Sequence, residues 1–242
     1  MLDYSAPPLS PVAKKRLSDD ISLQLQRKII SGEFPEGMKL PPERDLARQL
    51  GVNRTTIREA IRDLEQMGLL QVRQGDGIYV KDYLESDNLR ILWLMLHGEK
   101  GLNGKALGDI LQIRRIICPE MAAEAALRRT DGMLLNLKEI VENGDRPLVE
   151  TDIAVHSLIA RASDNVFYIF AINFFNPVFR LHADLYFNDP VNQKASRKFH
   201  GDIYRALAKR DAAGARRIMR DVIVYGEEKT LEALGRIQPA PR

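Results

Sequence analysis

Glu43-Arg44-Asp45-Leu46-Ala47-Arg48-Gln49-Leu50-Gly51-Val52-Asn53-Arg54-Thr55-Thr56-Ile57-Arg58-Glu59-Ala60-Ile61-Arg62 reads as two short helices joined at a glycine. Leu46, Ala47 and Leu50 form the apolar face of the first helix. Gly51 breaks it, as a residue free to take positive φ does. Asn53 stands where an N-cap belongs. In the second helix Ile57, Ala60, Ile61 and Leu64 recur three or four apart, which makes one buriable face. Arg54, Thr55, Thr56 and Arg58 crowd its first turn and a half. Side chains of this kind at the start of a second helix match the way a helix-turn-helix meets base edges in the major groove.

The flanking sequence extends the pattern. Gly68 ends the second helix, Leu69 to Arg73 alternates as a strand, Gln74-Gly75-Asp76-Gly77 is a turn, and Ile78-Tyr79-Val80 returns as a second strand. A hairpin directly after a helix-turn-helix is a wing, with Gln74 and Gly75 at its tip. Upstream, Ile21, Leu23, Leu25, Ile29 and Ile30 belong to a first helix, closed by the turn from Gly32 to Gly37.

Residues 13–82 resemble the GntR family of bacterial transcription regulators. The resemblance rests on the Gly32–Pro35 turn, Leu40 to Ala47, Val52 to Ala60, Leu64, Gly68 and the Gly75/Gly77 wing. It implies a winged helix-turn-helix on double-stranded DNA. Arg44, Arg54 and Arg58 would contact phosphates and bases, and Asn53, Thr55, Thr56, Gln74 and Gly75 would position the backbone. Arginine paired to guanine is the commonest specific contact, so Arg54 and Arg58 are the expected readers. The alternative is a solvated arginine face paired to Glu59 or Asp63.

Bulk properties bound the remainder. A chain of 242 residues has room for two domains. A formal charge of only +3 excludes a polybasic coat, so any positive footprint is local. The one cysteine, Cys118, permits no intrachain disulfide. The strongest apolar run, Ile91 to Leu96, is far shorter than the ~20 residues a bilayer requires, and no signal-peptide pattern opens the chain. A soluble, cytoplasmic protein without a membrane partner is expected. Residues 1–12 and 237–242 read as loose, proline-bearing tails.

Residues 83–104 read as a linker, with Trp93 packed at the junction. From 105 to 235 helical spacing dominates, and an all-α bundle of six or seven helices is expected, making the chain mainly α. Pro119 is expected to kink the first long helix. Six of the eight phenylalanines fall between Val166 and Phe187, which reads as one aromatic helix serving core, dimer contact or an apolar pocket.

Asp152 and His156, four apart, project from one helix face, and His200 lies on a later helix. Converging, they would suit a divalent ion such as zinc, nickel or manganese, or act as satisfied core residues. The order of helices is similar to the effector-binding FCD domain of the FadR branch of the GntR family. The matching residues are Ile113 to Ile117 with Pro119-Glu120, Ala122 to Ala126, Asp152 with His156, Ala162 to Asn165, His200 with Ile203, Ala206 and Leu207, and Asp211 to Ala215 leading into Met219. The resemblance implies a small-molecule effector, a carboxylate or acyl compound, held by Arg114, Asp152, His156 and His200. A homodimer on a palindromic operator is expected, acting as a repressor or an activator. The resemblance also implies a fourth metal-ligand position, which here is Val222, a residue without a donor. Other readings are a metal-dependent hydrolase using Asp152, His156 and His200, which lacks a supporting motif, and a DNA binder without an effector.

Overall fold

The computed structural model describes residues 17–86, 88, 90–98 and 101–237. The expected tail 1–12, residues 238–242 of the expected tail 237–242, and the start of the first domain at 13–16 lie outside them, while Ile237 ends the last helix. The chain divides into two compact units, one ending at Asn103 and the other beginning at Gly104.

In the first unit α1 (Leu17–Ile30) is followed by β1 (Lys39–Leu40), α2 (Glu43–Leu50), α3 (Arg54–Gln66), β2 (Leu70–Arg73) and β3 (Gly77–Val80). Gly51 closes α2 at φ 66°, and its N–H reaches Ala47 O and Arg48 O. A side chain there would strain the left-handed backbone that turns the chain into α3. Asn53 starts α3 by accepting the Thr56 N–H at 2.8 Å. The α3 underside is Ile57, Ala60, Ile61 and Leu64, all buried against Ile21, Leu25 and Ile29 of α1 and Leu46 of α2. Leu23, grouped with the α1 core in the sequence, is instead exposed: two residues from both Ile21 and Leu25, it lies off their helical stripe.

The wing is antiparallel, with Leu70 opposite Val80 and Arg73 opposite Gly77. The sheet has a third strand that the sequence reading missed. β1 pairs with β3, Lys39 opposite Tyr79, and gives the order β1-β3-β2. Two residues before Pro41 are too few to show alternation.

The 83–104 segment holds a short 3-10 turn (Tyr83–Glu85), α4 (Arg90–Leu96) and the strand pair β4 (His97–Gly98) and β5 (Gly101–Leu102). Ile91 is buried in the first unit's core, with Tyr83, Leu94 and Met95 packed against it, and Trp93 is half-buried. The apolar run therefore extends the winged-helix core.

The second unit contains α5 (Gly104–Arg128), α6 (Asp131–Glu142), α7 (Leu148–Ala162), α8 (Val166–Leu181), α9 (Asp184–Phe187), α10 (Pro190–Ala208) and α11 (Ala212–Ile237). Helix α5 runs through Pro119, which is buried. Ala122, Ala125 and Ala126 keep the α5 surface low, and Ala215, Met219 and Ile223 of α11 join them in the core. The two helices run antiparallel, since Arg216 pairs with Glu120 at 2.8 Å and Glu227 approaches Arg115 at 3.6 Å. The single aromatic helix expected from Val166 to Phe187 is two, because α8 stops at Leu181 and α9 begins at Asp184. Hydrophobicity continues across the break, so composition alone hides it. Among the described residues no helix is long and apolar enough to cross a membrane.

Leu64 is fully buried. Leu64→Ala is expected to cost about 2–5 kcal/mol, read as an earlier urea transition and faster amide exchange along α3. An unchanged midpoint would show that the α3 underside is not what holds this unit together.

Candidate functional site

Burial of one face of α3 forces its other face outward. Arg54, Thr55 and Arg58 are exposed and Thr56 is half-buried. Asn53 Oδ1 accepts from both the Thr56 N–H and, at 3.0 Å, the Thr56 hydroxyl, so the two side chains set the helix start together. Arg58 meets Glu43 of α2 through both guanidinium edges, Nη2 to Oε2 at 2.9 Å and Nε to Oε1 at 3.3 Å. Its partner is therefore on the preceding helix; Asp63 accepts instead from the Ser22 hydroxyl. The Arg58 hydrogen bond is the main cause holding the Glu43 carboxyl below its ordinary value. Arg44 is exposed on the first turn of α2, its Nε 3.3 Å from Asp45. Gln74 and Gly75 are exposed at the wing turn, Gly75 at φ 77°. Behind them Lys39 pairs with Asp76 at 2.9 Å, and Arg73 stacks on Tyr79 at 4.3 Å. The sequence reading passed over Lys39 and Glu43, whose roles appear only when β1 meets β3 and α2 meets α3.

In the second unit Asp152, His156 and His200 converge, as the sequence suggested. His200 Nε2 lies 2.9 Å from Asp152 Oδ1, and His156 Nε2 lies 3.6 Å from Asp152 Oδ2. All three are buried. Burial pushes the Asp152 carboxyl up. The His200 hydrogen bond and the charges of His156, His200 and Arg114 outweigh it and leave the group below its usual value. Burial is also the main influence on His156 and, with Arg114 and His200, takes it down to about 4 against the pull of Asp152. The His156 ring stacks on Phe199, an environment that favours the uncharged form.

Asp152 and His156 border a cleft of about 760 Å³, its open mouth included, lined from α5, α7, α8, α9, α10 and α11; His200, bonded to Asp152, is not among its lining residues. Its walls are largely apolar, among them Leu111, Phe175, Val178 and Ile223. Arg114 enters from α5 with its guanidinium 5.4 Å from the Phe179 ring. Tyr186, Ser196 and Glu227 also line the cleft. Burial pushes the Tyr186 phenol up to about 12, with Ser196 acting the other way. Among the described residues four buried side-chain atoms make no hydrogen bond of good geometry: Arg114 Nε, His156 Nδ1, Glu227 Oε2 and Tyr186 Oη, the last having the Ser196 side chain close enough to interact with it. All four residues line this cleft. Buried polar atoms are normally paired, so orphans gathered in one cleft indicate something that is meant to pair with them.

Asp152 already accepts from His200, Val222 lines the cleft without a donor, and among the described residues no group of three or more His, Cys, Asp or Glu side chains is arranged to hold a metal. As they stand, the three side chains fit one another better than they fit an ion. Asp221 is exposed and supplies nothing to the cleft. Glu227 is the residue the sequence reading overlooked. Val222, Gly226, Glu227 and Thr230 recur on one helical face, and extending that face one turn beyond Val222 finds it.

Residues 17–80 match the family described as bacterial regulatory proteins, gntR family, and residues 109–224 match the FCD domain. An uncharacterised HTH-type transcriptional regulator of Mycobacterium tuberculosis is 37% identical over 120 residues, half of this chain (50%) and 48% of that relative. The Uxu operon transcriptional regulator of Escherichia coli is 28% identical over 238 residues, covering 92% of this chain and 90% of the relative. The solved structure of the Listeria monocytogenes protein Lar shares the fold, with a TM-score of 0.53, 18% identity, and coverage of 90% of this chain and 98% of that one.

The His156 shift fixes a pH dependence. Its folded value lies below the ordinary ~6.5 of histidine, so its contribution is complete above that value and is lost as pH falls toward about 4. The Asp152 shift has the same sign but acts lower, as pH falls below its ordinary value of 3.8. Unfolding free energy is expected to fall by roughly 3 kcal/mol across the His156 window, and the His156 ring proton shift in NMR should stay flat from neutrality to about pH 5. A titration of that proton centred above pH 6 would contradict the buried neutral ring. The chain belongs to the gntR family of DNA-binding bacterial transcription regulators, with an FCD domain as its second part, and is a regulator, not an enzyme.

Proposed function

We propose that this gntR-family chain is an effector-responsive repressor that binds a palindromic operator as a homodimer. The observation that carries the DNA reading is the exposed N-terminal tip of α3, held out by a fully buried underside. Arg54 and Arg58 read bases there. Arg44 and the wing tip Gln74-Gly75 hold phosphates, and Asn53, Thr55 and Thr56 fix the helix start. Arg58 exchanges Glu43 for guanine on binding. The exchange keeps the guanidinium fork preformed while the protein is free. The repressor sign and the cytoplasmic setting belong to the same reading.

Support for a second copy comes from apolar side chains left in water. Ile113 and Ile116 of α5, at 51% and 60% exposure, and Phe167 and Phe170 of α8, at 78% and 64%, are too many large apolar groups for a monomer's surface. Helices α5 and α8 are neighbours, with Arg114 over Phe179. A two-fold axis through such a face sets the spacing of two operator half-sites.

The effector is a carboxylate with an apolar body. Arg114 takes the carboxylate, Asp152 and His156 complete the polar end with His200 holding Asp152 from behind, and the aliphatic and aromatic walls take the rest. Effector and DNA weaken each other by a common factor, as linkage requires. A DNA binder indifferent to metabolites would have no use for four orphaned polar atoms around one cleft. A divalent ion (zinc, nickel or manganese) on Asp152, His156 and His200 is the second reading. Their convergence supports it, and it requires the Asp152–His200 hydrogen bond to open.

Titration of the full chain against fluorescent DNA from its own promoter region, at low ionic strength, tests the first reading. Arg58→Ala is expected to weaken binding roughly ten- to hundredfold and to relax base preference. Wild-type affinity in that variant would remove Arg58 from readout, and no complex with wild-type protein would end the operator hypothesis. For the metal reading, Val222→His should raise zinc affinity at least about tenfold by supplying a fourth donor. No gain would eliminate it.

A further inference from the structure

We infer that Glu227 sets which carboxylates this cleft accepts, selecting a monocarboxylate that bears a hydrogen-bond donor close to its acid group and rejecting both plain alkyl acids and dicarboxylates. The inference rests on the effector reading above and sharpens it.

Arg114 and Glu227 both line the cleft, and Glu227 lies 3.6 Å from Arg115, the next residue along α5, which sets the two at a similar level of the antiparallel α5/α11 pair. That distance is within ionic reach and beyond a hydrogen bond. Arg115 is itself half-exposed, so it steadies the Glu227 carboxylate without using its lone pair. Oε2 is left buried and without a hydrogen bond on the cleft wall. The cleft thus offers a cationic donor at Arg114 Nε and, across from it, an anionic acceptor at Glu227. Asp152 is already engaged at Oδ1 by His200 at 2.9 Å, whereas Glu227 Oε2 makes no hydrogen bond at all.

Three ligand chemistries meet this pair differently. An acid with only methylenes beside its carboxylate satisfies Arg114 and strands Oε2. A second carboxylate at that place faces a like charge inside a cleft with apolar walls, where repulsion is weakly screened. A hydroxyl or ammonium there donates to Oε2 and completes both ends. A buried acceptor that must be satisfied discriminates far more strongly than an apolar wall does. The spacing is short, because the two residues sit at a similar level of the helix pair. The donor therefore belongs within a few carbons of the acid, and the apolar walls take the remaining tail.

The test uses octanoate, 3-hydroxyoctanoate and pentylsuccinate, which share a pentyl tail and differ only in bearing hydrogen, hydroxyl or carboxylate on the third carbon. Their affinities for the full-length protein are measured by calorimetry. Wild type should bind 3-hydroxyoctanoate about tenfold or more above octanoate, with pentylsuccinate weakest. Glu227→Leu should reverse the first preference. Glu227→Gln should keep the hydroxyl preference and raise pentylsuccinate binding about tenfold. Ratios within one variant do not depend on how much of it is folded. Wild-type ratios in both variants would overturn the role of Glu227, while loss of octanoate binding in Arg114→Met would leave the effector reading standing. If wild type binds none of the three, the Arg114 carboxylate reading fails and this inference fails with it.

Discussion

A charge buried in a helical bundle must find partners, and Asp152 is buried. That requirement organises the second unit. It places His200 of α10 at hydrogen-bond distance, fixes His156 one turn along α7, and keeps that ring neutral because a second buried charge would gain too little. The polar knot leaves the rest of the core free to close with small residues, as alanines let α5 and α11 come together. It also marks where the packing stops. Beside it the bundle opens into a cleft where buried polar atoms make no hydrogen bond of good geometry. Stability and receptivity meet at this border, one side of Asp152 being satisfied internally and the other facing the space a ligand takes.

The first unit solves the opposite problem. Its arginines must stay in water, available to an anionic partner, without collapsing onto arbitrary carboxylates. Burying Ile57, Ala60, Ile61 and Leu64 fixes the rotation of α3 and so decides which side chains are left outside. Glu43 then restrains Arg58 from the neighbouring helix through a two-pronged contact. Such an exposed pair adds little stability, but it holds the guanidinium in one geometry. Lys39, brought beside Tyr79 and Asp76 by the third strand, adds positive charge behind the wing.

Much of this was legible beforehand where local rules act alone. Gly51 and Asn53 announce a turn and a cap from sequence because φ and N-cap geometry are properties of single residues. Helix α7 was legible to its ends, from Leu148 to Ala162, because Pro147 precedes its first turn and the periodicity between is regular. The two-residue β1 and the break at His182 were not, since neither changes composition or period enough to register. Segment 83–104 looked like a linker because its glycines and charges are local, while the burial of Ile91 is settled by a core assembled elsewhere in the chain.

The sequence by itself determined the family, the winged helix-turn-helix, the helical second part and the identity of Asp152, His156 and His200 as chemistry worth following, because spacing on one helix and residue type are sequence properties. Only the tertiary structure decided who pairs with whom: Arg58 with Glu43, His200 with Asp152, Arg115 beside Glu227. Those pairs join positions far apart in the chain, and their distances follow from helix packing. It also decided which polar atoms remain unpaired, since an orphan is defined by every neighbour at once and no local pattern records it.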